Sequence, residues 1–72
     1  MARVMSDNQV ILAKYLLTVG CTPSEMIEIT YSVWEEDKTI KMLEFCRDNP
    51  NASPDELLKM SYEISSQYNS RI

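Results

Sequence analysis

The chain has 72 residues, of which 44% are hydrophobic, and seven Lys and Arg against eleven Asp and Glu give it a net charge of −4. This length predicts a single domain near the lower limit for a stable core, and the hydrophobic content excludes an intrinsically disordered chain. The acidic balance disfavours nucleic acid as a partner and permits a basic protein surface.

No membrane or export segment is expected. The longest apolar run, from Val10 to Leu17, is interrupted by Lys14 and is far shorter than the roughly 20 residues that cross a bilayer. The two cysteines are too few for a disulfide scaffold, and their spacing is not that of a metal site. These features favour a protein of the cytoplasm with no membrane partner.

The first predicted helix follows a frayed segment, residues 1–5. Ser6 is its expected N-cap, with Gln9 as the capping-box partner, and Gly20 is placed to end it after Val19. Apolar side chains surround this helix almost completely: Val10, Ile11, Leu12, Ala13, Tyr15, Leu16, Leu17 and Val19. A helix that is apolar all round is either central or covered by another chain.

The second predicted helix opens with Thr22 as N-cap, Pro23 at the first helical position and Glu25 as capping-box partner. It is expected to run through Trp34. Positions 26, 27, 29, 30, 33 and 34 fall on one side at about 100° per residue and are expected to face the core.

After Trp34 the apolar periodicity is interrupted by the charged residues 35–38. Either one long helix continues with a solvated turn there, or the helix stops and a third begins. Three acids in a row suit the first turn of a new helix, which favours a break with Asp37 as the N-cap of the third helix. The third helix is expected to end at Asn49, because Pro50 disfavours helical geometry there. Its inward side chains are expected to be Ile40, Met42, Leu43, Phe45 and Cys46.

The fourth predicted helix starts at Ser53, buries Leu57, Leu58, Ile64 and Tyr68, and frays over residues 69–72. Its first twelve residues, 53–64, echo residues 22–33 at an offset of 31, with Pro, Glu and Tyr identical. In each copy a small hydroxyl residue, Thr30 or Ser61, lies in the apolar stripe, where we expect it to be buried and to bond its own helix.

The predicted fold is therefore all-α: a small four-helix domain, residues 6–68, built of two pseudo-repeated helical hairpins at about 6–34 and 37–68. A repeat of about 31 residues is also near the period of helical solenoids. Two copies are fewer than a solenoid normally needs, which favours a closed four-helix arrangement.

Catalytic, cofactor and metal sites are not predicted. The chain has no histidine and a single glycine, so the commonest general base and any glycine-rich phosphate loop are missing. The acids at 35–37 are interpreted as a solvated helix start, and the segment from Asp48 lacks the ligands of a calcium loop.

Cys46 is interpreted as a small core residue. Cys21 precedes an N-cap, where a helix dipole can lower a thiol pKa and permit a redox or regulatory role. The lack of a basic side chain nearby in the sequence disfavours that role.

Residues 12–29 have the outline of a DNA-binding helix-turn-helix. The helix that would enter the major groove carries several glutamates, however, with no Lys or Arg between Thr22 and Asp37, whereas DNA-reading helices present Arg, Lys, Asn or Gln. The outline is that of any capped helical hairpin.

The sequence thus predicts a small non-enzymatic protein-interaction module, such as an adaptor, inhibitor or antitoxin-like regulator. Its partner is another protein or a second copy, giving a heteromer or homo-oligomer. The predicted contact is an apolar patch with an acidic rim, formed by Leu12, Tyr15, Leu16, Val19, Glu25 and Glu28. The alternative is a helix-turn-helix transcriptional regulator, and the third reading is a structural subunit of a larger assembly.

Overall fold

The computed structural model describes residues 5–69, except the side chains of residues 68 and 69. Within this range it contains four helices and no strand: α1 Asp7–Thr18, α2 Pro23–Ser32, α3 Glu36–Asp48 and α4 Pro54–Asn69. The prediction of a four-helix all-α fold is confirmed. The expected fraying of the chain ends falls largely on residues 1–4 and 70–72, outside the described residues, as does the expected burial of Tyr68.

Three helices begin with the predicted capping boxes. The N–H of Gln9 donates to Ser6 Oγ at 3.2 Å, and the Ser6 N–H donates to Gln9 Oε1 at 2.9 Å. The same reciprocal pair joins Thr22 to Glu25 and Ser53 to Glu56. Each pair satisfies first-turn donors that would otherwise lack a partner.

The turn between α1 and α2 depends on the single glycine. Gly20 has φ +107°, the left-handed conformation expected from its position after α1. Any residue with a side chain would be strained in this conformation. The N–H of Gly20 donates to Leu17 O at 3.3 Å and that of Cys21 to Leu16 O at 3.0 Å. This is a Schellman motif, which closes the carbonyl end of α1 and reverses the chain.

The predicted break between α2 and α3 is confirmed, but its details differ from expectation. α2 ends at Ser32 before reaching Trp34, and the N-cap of α3 is Glu35 and not Asp37. A buried hydroxyl holds the junction: Thr39 Oγ1 lies 2.5 Å from Val33 O and 3.1 Å from Glu35 O. The hydroxyl therefore donates chiefly to Val33 O across the break, while Glu35 O also accepts the Thr39 N–H at 2.8 Å.

The helices form a ring in which α1 packs on α2 and α3, and α4 packs on α2 and α3. The amino ends of α1 and α3 lie together, because Asn8 Nδ2 donates to Glu36 Oε2 at 2.6 Å and Gln9 Nε2 to Trp34 O at 2.6 Å. Buried apolar residues from all four helices and the first turn form one core: Leu12, Leu16, Cys21, Ile29, Val33, Met42, Cys46, Leu57 and Ile64.

Thr30 and Ser61 are buried, as predicted. Thr30 Oγ1 donates to Met26 O and Ser61 Oγ to Leu58 O, both at 2.6 Å. Each hydroxyl therefore finds its partner within its own helix, which lets neighbouring helices approach without leaving a polar group unpaired.

Two expectations about burial are wrong. Ile27 is 50% exposed and Ile40 is 39% exposed, although the apolar pattern places both toward the core. The ring arrangement explains both, because each helix has only two close neighbours and these cover less than the full width of its apolar stripe. Lys38, in the charged run after Trp34, is buried.

Candidate protein-binding surface

The structure separates the six residues predicted to bind a partner. Leu12 and Leu16 are fully buried in the core, so their expected place in an exposed patch is wrong. Tyr15 and Val19 are half-buried and pack against the same core. Of the acidic rim, Glu25 is engaged in the capping box of α2, and Glu28 is exposed and accepts a hydrogen bond from Tyr62 Oη.

Exposed apolar side chains do occur on α1, but on its other side. They are Val10, Ile11 and Leu17, of which Leu17 is 46% exposed. Val10, Lys14 and Leu17 have the spacing of residues on one helix face. The charged Lys14 side chain therefore interrupts the apolar surface of α1 in its middle.

A larger apolar surface lies on α2. Ile27 is 50% exposed and Tyr31, one turn later, is 71% exposed, the largest fraction among the exposed large hydrophobic residues. They border an open groove of about 600 Å³, here named the α2 groove, which is lined by Met5, Met26, Ile27, Thr30, Tyr31 and Trp34. The groove is thus formed by one side of α2 and by the residues that flank the amino end of α1 and the carboxyl end of α2.

The aromatic rings at the end of the α2 groove support one another. The rings of Tyr31 and Trp34 meet edge to face, with centroids 5.5 Å apart and planes at 72°. This geometry is favourable for aromatic pairs. The ring of Tyr31 is consequently held in place while most of its surface stays open to solvent.

The sequence of α2 and of the start of α3 is acidic. Residues 22–37 carry five carboxylates, those of Glu25, Glu28, Glu35, Glu36 and Asp37, and no Lys or Arg. Glu28 follows Ile27 and therefore projects about 100° away from it around the helix, where it bonds Tyr62 of α4. The described residues that line the groove carry no charge.

A second, smaller groove of about 360 Å³ follows the turn between α3 and α4. Two of its polar side chains are engaged in local structure: Asn49 Nδ2 donates to Phe45 O, and Glu56 caps α4. These bonds explain why the residues are polar without requiring a ligand.

The cysteines lie in the interior near Tyr15. Burial raises the pKa of the Cys46 thiol to about 11. Burial, and then the nearby Glu25 carboxylate, raise the pKa of Cys21. The dipole of α2 can lower the pKa of this thiol, but burial and the negative neighbour act in the opposite direction. Burial also raises the pKa of Tyr15, whose hydroxyl has no hydrogen-bond partner in the described structure. Thiols held protonated in this way are poor nucleophiles.

Residues 5–69 contain no group of three His, Cys, Asp or Glu side chains placed to hold a metal ion. None of the helices found in that range combines the length and apolar character needed to span a bilayer. The chain shows no match to protein-family models, to curated proteins or to solved structures.

Proposed function

We propose that this protein is a non-enzymatic interaction module that acts by binding another protein through the α2 groove. The observation that carries the proposal is the exposure of Ile27 and Tyr31 beside an open apolar groove. Aromatic residues that are rigid and exposed are characteristic anchors of protein interfaces. A small adaptor, inhibitor or antitoxin-like regulator would use such a surface.

The location differs from the one expected from the sequence. Only Val10, Ile11 and Leu17 of α1 are exposed large apolar residues, and Lys14 divides them. On α2, Ile27 and Tyr31 lie one turn apart on the same side, and the Trp34 ring, just beyond the end of the helix, contacts that of Tyr31. The α2 surface is therefore the better candidate.

Two further features of the proposal concern architecture and compartment. We infer that the two hairpins are pseudo-repeats; equivalent capping boxes at Thr22 and Ser53 and equivalent buried hydroxyls at Thr30 and Ser61 support this. We also infer a cytoplasmic protein, because both cysteines are free thiols, which suits a reducing compartment.

DNA binding is the weaker alternative. The hairpin of α1 and α2 has the required outline, but the exposed residues of α2 include no Lys or Arg, which are the residues that neutralise phosphates. A mobility-shift assay with random duplex DNA at low salt distinguishes the two, since a DNA-binding protein shows salt-dependent non-specific affinity.

The proposal is tested by capture from host extract with three immobilised baits: the parent chain, Ile27→Asp and Leu17→Asp. Ile27 and Leu17 are 50% and 46% exposed, so the two variants introduce the same charge at similarly exposed helical sites. We expect a protein that is retained by the parent and Leu17→Asp baits and lost from Ile27→Asp. Equal recovery of every protein on all three baits would contradict the proposal.

A further inference from the structure

We draw no further inference here: the strongest candidate, the cluster of Cys21, Cys46 and the Tyr15 hydroxyl in the core, carries none, because burial shields both thiols from an oxidant or metal ion, and nothing in the structure shows what covers the apolar face of α2.

Discussion

The hydroxyl of Thr39 joins α2 to α3, and its removal should destabilise the fold without changing its shape. Thr39 is fully buried, and its hydroxyl lies 2.5 Å from Val33 O and 3.1 Å from Glu35 O. Thr39→Val replaces the hydroxyl by a methyl group of similar size. The variant therefore loses the donor while leaving no cavity.

The magnitude follows from the cost of leaving a buried acceptor without its donor, which is about 1–3 kcal/mol. Taking about 2 kcal/mol, a domain of this size should melt roughly 8–16 °C lower than the parent. The matched control is Thr39→Ser, which keeps the hydroxyl and loses one buried methyl, worth about 1 kcal/mol. The valine variant should thus be the less stable of the two.

The measurement is thermal and urea unfolding of the parent and both variants, followed by circular dichroism. A Thr39→Val variant as stable as the parent would refute the role of the hydroxyl, and so would a valine variant more stable than the serine variant. Either result would show that the Thr39 hydroxyl does not stabilise the junction between α2 and α3.

Three further predictions concern the caps, the thiols and self-association. Thr22→Ala and Ser53→Ala should each lower the free energy of unfolding by about 1 kcal/mol, because each removes the acceptor of a first-turn N–H; unchanged melts of both would contradict the capping argument. The pKa of Cys46 is raised from 9.0 to about 11, so the contribution of this thiol to stability should be constant below pH 9 and be lost between pH 9 and pH 11, where the unfolded thiol ionises first. Cys46→Ala should show a shallower decline, measured by urea unfolding across that range. Ile11, which is 54% exposed on α1, predicts self-association at micromolar concentration; light scattering should show a mass that rises with concentration and does not rise in Ile11→Asp.

Local signals predicted most of the fold because their physics is confined to a few neighbouring residues. A hydroxyl followed three positions later by Glu or Gln identified the caps at Ser6, Thr22 and Ser53. Gly20 identified the end of α1, where φ is +107°. The hydroxyls of Thr30 and Ser61 were expected to bond their own helices, and they do.

The candidate site was harder to locate, because the exposed side of an apolar helix depends on where its neighbours lie. Periodicity alone could not show that Leu12 and Leu16 face the core while Leu17 faces solvent. It also overestimated how much of the apolar stripe of α2 is covered, so Ile27 was expected to be buried. In the sequence, the region of α2 is distinguished by the absence of Lys and Arg between Thr22 and Asp37, which does not by itself locate an exposed apolar surface.

Long-range contacts explain the other differences. Thr39 binds the carbonyl of Val33 across the break, and no local pattern distinguishes such a threonine from an exposed one. Lys38 is buried although it belongs to a charged run, and a long lysine side chain covers apolar surface with its methylene groups. Both residues were therefore missed as contributors to the α2–α3 junction.

Photo-crosslinking in the living host tests the central claim, that α2 is the partner-binding surface, most directly. The photoreactive residue p-benzoylphenylalanine would replace Tyr31 in one variant and Ile40, an apolar residue of α3 that is 39% exposed, in the other. We expect a discrete crosslinked protein from the variant at position 31 and none from the variant at position 40. Adding Ile27→Asp should abolish the crosslink from position 31. A crosslink from position 40 with none from position 31 would contradict partner binding through α2.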